Sequence, residues 1–172
     1  MVQTESKPMQ IVTNDSLSFS LINDKGNILG SIRYLDDELK EATLHTEQAF
    51  QITNNKPGVW IFLNHKTKEI SGRMKVSTGG KIIVESNRLL FRFCKTMNWN
   101  LRFVLLNKEG EELLGLKPAI NWKFKTHDFI LQLNEELTSE CSSFLILQAL
   151  HCARCSLGMM YDKTVPPIVS VR

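Results

Sequence analysis

Short stretches of alternating apolar and polar residues fill most of the chain and predict antiparallel β-strands. The first pair spans residues 17–22 and 28–35, and the segment between them reads NDKGN, a composition typical of hairpin turns. A weaker pair follows at residues 41–46 and 49–53. The first block of the chain therefore contains four predicted strands.

This hairpin pattern recurs twice. The second copy spans residues 59–63 and 70–76, and the third spans residues 101–106 and 113–117. An asparagine opens each turn and a glycine follows in each return strand, at Asn23, Asn64 and Asn107 and at Gly30, Gly72 and Gly115. The chain is therefore a threefold repeat with a period of about 42 residues.

The second and third blocks each contain a further predicted hairpin. One covers residues 81–94 around Ser86 and Asn87, and the other covers residues 121–134 around His127 and Asp128. With these hairpins the chain has about twelve short strands in three units of four.

Residues 138–156, TSECSSFLILQALHCARCS, depart from this pattern and predict a helix. Its apolar centre is interrupted only by Gln148, so apolar side chains point in every direction and the helix must be enclosed. The apolar run is shorter than the roughly 20 residues of a membrane span. Thr138 or Ser139 is predicted to cap its start, and Gly158 to end it.

A closed barrel satisfies both the strands and the helix. Propeller blades also have four strands in about 40 residues, but three blades are too few and would leave the helix unenclosed. A barrel of about twelve strands removes the sheet edges and leaves a lumen that wall side chains cannot fill. We therefore predict a mainly β fold: a closed antiparallel barrel of about twelve strands from three four-stranded repeats, with the C-terminal hydrophobic helix through its centre.

The repeat register predicts which wall residues face the helix. We expect the repeat glycines to let the helix approach the wall closely. Residues 1–16 are expected to be a flexible leader, residues 17–156 the barrel with its helix, and residues 157–172 a tail. The apolar residues predicted to face inward are Phe19, Leu21, Ile28, Ile32, Trp60, Phe62, Ile70, Met74, Phe103, Leu105 and Leu113.

Composition narrows the range of functions. The 172 residues suffice for one domain, and the net charge of +3 is spread among mixed signs, which disfavours a nucleic-acid-binding arm but permits a local basic patch. The start of the chain has no positive cluster followed by an apolar run, so no signal peptide is predicted. The four cysteines lack the spacing of a disulfide framework, and we expect a cytoplasmic protein.

The units SLINDKGNILGSI and VLLNKEGEELLGL, the weaker hairpins and the terminal apolar helix resemble the tubby-like C-terminal fold. Tubby proteins, phospholipid scramblases and the plant LURP-one-related proteins share this fold, and the resemblance covers residues 17–156. It implies a twelve-stranded barrel threaded by the helix and no conventional enzymatic activity. It also implies an association with membranes, because tubby domains bind phosphoinositide head groups and scramblases are linked to phospholipid movement.

The tubby lipid site uses two basic residues that alternate along a strand, and this chain offers two such segments, RMK and KFK. In each, the middle apolar residue is expected to point to the opposite face. Paired cations suit phosphate oxygens, although solvated strand faces explain the same spacing. The candidate head-group residues are Arg73, Lys75, Lys123 and Lys125.

Other chemistry has weaker support. Cys152 and Cys155 form a C-x-x-C suited to redox exchange or to half of a zinc site, but no second pair of ligands accompanies them. His151 and Cys155 share a helix face, yet no group is placed to orient them as a nucleophilic pair. The strand register assigns the aromatic residues, including Trp99 and Trp122, to the core rather than to a nucleic-acid platform. We expect no catalytic residue, metal site, cofactor or nucleic-acid partner.

We therefore expect a non-catalytic barrel that binds anionic phospholipid head groups, such as phosphoinositides, at a membrane surface. Such a protein would be cytoplasmic and peripheral to the membrane, with no transmembrane segment. The alternative is a structural or protein-interaction module without lipid affinity.

Overall fold

The computed structural model describes residues 9–97 and 99–161, and it confirms the mainly β fold. The strands form a single antiparallel sheet in which each strand lies beside its neighbours in sequence. They are β1 (Gln10–Asp15), β2 (Ser18–Ile22), β3 (Ile28–Tyr34), β4 (Glu41–His45), β5 (Ala49–Lys56), β6 (Val59–Asn64), β7 (Ile70–Val76), β8 (Ile82–Ser86), β9 (Leu89–Met97), β10 (Leu101–Leu106), β11 (Glu112–Asn121) and β12 (Thr126–Leu133). A 3-10 helix (Glu135–Glu140) and the helix α1 (Ser143–Tyr161) follow.

The sheet curls into a nearly closed barrel whose first and last strands meet. The hydroxyl of Thr13 on β1 donates to Oδ1 of Asp128 on β12 at 2.6 Å. Since every other strand is bonded on both sides, little of the sheet edge is left to pair with another chain.

Helix α1 fills the lumen, as its all-round apolar sequence requires. Phe144 stacks on Phe50 with ring centroids 4.4 Å apart and meets the edge of Phe62 at 5.9 Å. The window Ser143–Met160 is long and apolar enough by length and composition to cross a membrane, and 67% of it is buried inside the protein. The prediction that this segment is too short to span a membrane was therefore wrong as a statement about length, because the helix continues beyond its apolar centre.

Both predicted ends of this helix were wrong. Thr138 and Ser139 lie in the 3-10 helix, and the amide of Leu145 instead donates to Oγ of Ser142 at 3.1 Å. At the other end α1 passes through Gly158 to Tyr161, because a glycine can also keep helical geometry when apolar packing continues. The first residues of the predicted tail thus belong to the helix, and residues 162–172 lie outside the described part.

The structure has the predicted number of strands, twelve, but two of them are not where the sequence pattern placed them. The predicted hairpin at residues 121–134 is wrong, because β12 runs without a break through His127 and Asp128. Its turn lies earlier, where Oδ1 of Asn121 accepts the amide of Phe124 at 3.0 Å. The missing strand is β1, which lies inside the predicted flexible leader, and this prediction is therefore wrong for residues 10–15. Strand β1 completes the third unit beside β12.

Most of the predicted inward residues are fully buried, but Ile28 and Ile70 are 70% and 43% exposed. A one-residue shift in the pairing places Ile28 opposite Ile22 and Ile70 opposite Leu63. These partners point outward, because Leu21 and Phe62 beside them face the core. The prediction is thus wrong at the two turns where a bulge changes the face.

The repeat glycines also differ from one another. Gly30 and Gly72 face α1, with Leu147 and Gln148 respectively against them. Gly115 instead pairs with Val104 and lies beneath the guanidinium of Arg102 on the outer wall. The prediction of close contact with the helix is therefore confirmed for Gly30 and Gly72. It is wrong for Gly115, because a shift of one residue in the strand pairing places it on the outer face.

Candidate functional site

Arg73 and Lys75 lie on β7 and point out of the barrel, as predicted, while Met74 between them is fully buried. Arg73 is opposite Glu85 on β8, and its Nη1 lies 3.1 Å and 3.2 Å from the two carboxylate oxygens. This ion pair balances the charge of Arg73. Lys75 is exposed beside it.

Lys123 and Lys125 occupy the turn between β11 and β12 rather than a strand. The predicted alternation of faces is therefore wrong here, and Phe124 is half-buried in the turn. Lys123 Nζ lies 5.0 Å from the centroid of the Phe124 ring, and Lys125 has the left-handed φ of 53°. Both lysines are exposed, so their charges face solvent.

The two basic pairs do not form one site. In the order of strands around the barrel, β7 is separated from β11 by β8, β9 and β10. The two pairs therefore lie on separate parts of the barrel surface.

Two tryptophans that the sequence assigned to the core are instead on the surface. Trp99, in the turn between β9 and β10, is 100% exposed, and Trp122, in the turn between β11 and β12, is 83% exposed. Phe103 on β10 pairs with Leu116 on β11. If this antiparallel register is continued for four residues, Trp99 lies opposite the exposed Ile120. Both tryptophans stand beside asparagines in turn sequences, the feature that could have revealed their exposure.

We call the surface formed by Trp99, Ile120, Trp122, Lys123 and Lys125 the tryptophan rim. Its members lie at one end of the barrel, because β10 begins where the antiparallel β11 ends. Helix α1 also ends here. The rim combines exposed aromatic and aliphatic surface with two lysines, and exposed apolar patches rimmed by polar residues mark interaction sites.

A groove of about 510 Å³ lies on the outer wall beside Trp99. Arg102 crosses it, with Nε donating to Oε1 of Gln132 at 2.8 Å and Nη2 bound to the carboxylate of Glu112. The guanidinium is therefore already engaged. The groove also contains Lys117 on β11, which adds positive charge next to the rim.

A second cavity, of about 210 Å³, opens at the mouth of the barrel where α1 ends. We call it the mouth pocket. Arg154 of α1 packs against the rings of Phe19 and Tyr34, with its guanidinium carbon 4.9 Å and 4.8 Å from their centroids. The residues that line it are Asp37, Leu39, Lys125, Thr126, His127, Phe129, Arg154, Leu157 and Gly158.

Deeper on α1, His151 and the cysteines have the properties of core groups. His151 is fully buried and its Nδ1 lies 3.0 Å from the Tyr34 hydroxyl. Burial, aided by Arg154, lowers the pKa of His151 to about 3, and burial raises the pKa of Cys155 to about 12. The pair therefore holds a neutral imidazole and a protonated thiol 3.5 Å apart, which is not an activated nucleophile.

Across residues 9–97 and 99–161, no three His, Cys, Asp or Glu side chains gather closely enough to hold a metal ion.

Thiol labelling tests this description of the cysteines. We expect Cys94, which is half-exposed, to react with a thiol reagent in the folded protein, and Cys141, Cys152 and Cys155 to react only after denaturant is added. Their thiolates are disfavoured because burial raises the pKa of each. The Cys94→Ser variant should lose the fast phase, and fast labelling of Cys152 or Cys155 would contradict the assignment.

Comparison with known proteins finds similarity among solved structures and not among protein families or curated proteins. No protein-family model matches the chain, and no curated protein matches it. Among solved structures, the chain is similar to an Arabidopsis thaliana protein of the LURP-one-related group, over 89% of this chain and 94% of that one, with 14% identity and a TM-score of 0.49. At this level the likeness carries no argument about fold or function, and the resemblance to tubby proteins and scramblases stays a prediction.

Proposed function

We propose that this barrel binds anionic phospholipid surfaces through the tryptophan rim. The observation that carries the proposal is the exposure of Trp99 and Trp122 on neighbouring turns, beside Lys123 and Lys125. Tryptophan favours the boundary between water and hydrocarbon, where its ring is partly apolar and its N–H remains solvated. Each basic residue near an anionic leaflet adds about 1 kcal/mol of attraction.

Within this proposal the two predicted basic pairs are not equivalent. Arg73 is bound to Glu85, so a lipid phosphate would have to compete with an existing carboxylate. Lys123 and Lys125 have apolar rings beside them and project from a turn. The protein would thus be cytoplasmic and peripheral to the membrane, with this end of the barrel against the lipid.

Flotation with vesicles tests the proposal. We expect binding to vesicles of phosphatidylcholine with phosphatidylserine or a phosphoinositide at low salt, and weak binding to phosphatidylcholine alone. Lys123→Gln with Lys125→Asn should weaken binding about thirtyfold, the effect of losing two cations near the surface at about 1 kcal/mol each. Asparagine is chosen at position 125 because it tolerates the left-handed φ.

The matched control is Lys25→Gln with Lys66→Gln, which removes the same charge from exposed turns at the opposite end of the barrel. This control should bind almost as the parent does. Equal losses of vesicle binding in both double variants would show that net charge alone, and not the rim, accounts for binding. A loss found only in Arg73→Ala with Lys75→Ala would show that the lipid site is on β7.

Tryptophan fluorescence supplies an independent measurement. Of the three tryptophans, Trp60 is buried, so a blue shift on adding anionic vesicles must come from Trp99 or Trp122. The Trp99→Phe/Trp122→Phe variant should lose the shift.

A protein-interaction module without lipid affinity is the second candidate. Leu89 and Leu90 favour it, since they are 64% and 61% exposed beside the β8–β9 turn, at the end of the barrel opposite the rim. Adjacent exposed leucines are typical of contact surfaces between proteins. Absence of vesicle binding at low salt would leave this candidate in place of the first.

A further inference from the structure

The mouth pocket contains a cation that forms no ion pair with any carboxylate in the described part of the chain. Nη1 of Arg154 donates to Oγ1 of Thr126 at 2.7 Å and to the carbonyl of Ser16 at 3.4 Å, and both acceptors are neutral. Within the described residues no carboxylate oxygen lies within 4.0 Å of this guanidinium. Contact with two aromatic rings also favours the position of Arg154 within the pocket.

The hydrogen bonding of Arg154 is also incomplete. Its Nε is buried and has no acceptor. Buried donors are nearly always satisfied in folded proteins, and an exception calls for an explanation. The charge of Arg154 also acts on two histidines. Burial is the main cause of the lowered pKa of His127 and of His151, and the charge of Arg154 is the second cause.

The rest of the lining adds donors of the same kind. Lys125 contributes a second cation, and the hydroxyl of Thr126, which accepts from Arg154, keeps its own hydrogen to donate. Asp37 is the opposing charge, and it lies on the exposed side of the pocket. Apolar walls from Leu39, Phe129 and Leu157 line the side of the pocket next to Arg154 and strengthen the attraction of its charge for an anion.

We propose that the mouth pocket binds a phosphate group between Arg154 and Lys125, with the Thr126 hydroxyl as a third donor. A guanidinium, an ammonium and a hydroxyl around a small cavity match the oxygens of a phosphate monoester. The volume of about 210 Å³ is below that of sites for drug-sized ligands, which limits the ligand to a small head group or metabolite. Lys125 belongs to both the pocket and the rim, but Arg154, Thr126 and Asp37 belong to the pocket alone, so phosphate binding is tested separately from membrane binding.

Calorimetric titration of the full chain with inorganic phosphate, at constant ionic strength, tests the site. We expect saturable binding that Lys125→Asn weakens about tenfold, since one of two charge-assisted donors is lost. Lys123→Gln removes the same charge from the same turn but lies outside the lining, so it should leave phosphate affinity unchanged. Asp37→Asn should tighten binding several-fold, because it removes the repelling charge.

Arg154→Gln should abolish binding, with thermal melting to confirm that the variant folds. If Arg154→Gln does not fold, the Lys125 and Asp37 variants still decide the test. Both residues are exposed, so their substitution leaves the fold intact. Absence of saturable binding, or equal affinity in the Lys125→Asn and Lys123→Gln variants, would overturn the proposal.

Competition between inorganic phosphate and vesicles shows whether the bound phosphate belongs to a lipid head group or to a free compound. If the ligand is a lipid head group, saturating inorganic phosphate should reduce binding to phosphoinositide vesicles, and Asp37→Asn should increase it. If the ligand is a free phosphate compound, vesicle binding should be indifferent to both, while calorimetric binding persists.

Discussion

Replacing Gly72 with alanine is expected to lower the free energy of unfolding by about 3 kcal/mol, the upper part of the range for overpacked cores. Gly72 lies on the inner face of β7, against the side chain of Gln148 on α1. A β-carbon there would lie 2.7 Å from the carbonyl oxygen of Glu85 and would overlap the side-chain amide of Gln148. That amide donates to the same carbonyl at 3.1 Å, so the substitution displaces the hydrogen bond between helix and wall as well as the backbone.

Urea unfolding followed by circular dichroism measures this effect, with Gly79→Ala as the control. Gly79 is in a turn with no atom within 4 Å of an added β-carbon, and its alanine variant should be within about 0.5 kcal/mol of the parent. Adding Gln148→Ser to Gly72→Ala should restore only part of the loss, because the clash with the Glu85 carbonyl remains. A Gly72→Ala protein as stable as Gly79→Ala would show that the helix is not packed against this strand.

The barrel was predictable because its two strongest patterns are local. Alternation placed β7 at its observed bounds, and the uniformly apolar segment around Gln148 required enclosure. Strand β1 could not be recognised in the same way. It joins the barrel beside β12, more than a hundred residues away in sequence, and a single edge segment shows no periodicity that identifies such a partner.

The faces of particular residues were less predictable, because a bulge of one residue reverses them. Ile28 and Gly115 were each placed on the wrong face for this reason. The candidate sites depend still more on tertiary structure. Trp122 is exposed because the turn begins after Asn121 rather than at His127, and the mouth pocket exists only where Lys125, Asp37 and Arg154 converge from three separate segments.

Acidification from about pH 7 to about pH 4 is expected to lower the free energy of unfolding by about 3 kcal/mol through His151. The folded barrel keeps this imidazole neutral, because complete burial, with Arg154 nearby, lowers its pKa from 6.5 to about 3. The unfolded chain takes up the proton near pH 6.5, so between these two values it binds more protons than the folded protein. Stability is therefore lost as the pH falls through this window, and the contribution levels off below about pH 3.

Urea unfolding at several pH values across this window measures the slope, and His151→Gln should flatten it. Glutamine cannot titrate and can still hydrogen-bond the Tyr34 hydroxyl, which His151 Nδ1 approaches at 3.0 Å, so the variant isolates protonation from the loss of a polar partner. His127 adds to the same trend, since burial also lowers its pKa, and this part of the slope should persist in the variant. Equal slopes in the parent and His151→Gln proteins would mean that the imidazole in the lumen is hydrated or already paired with an acid, and that α1 does not seal the interior of the barrel against water.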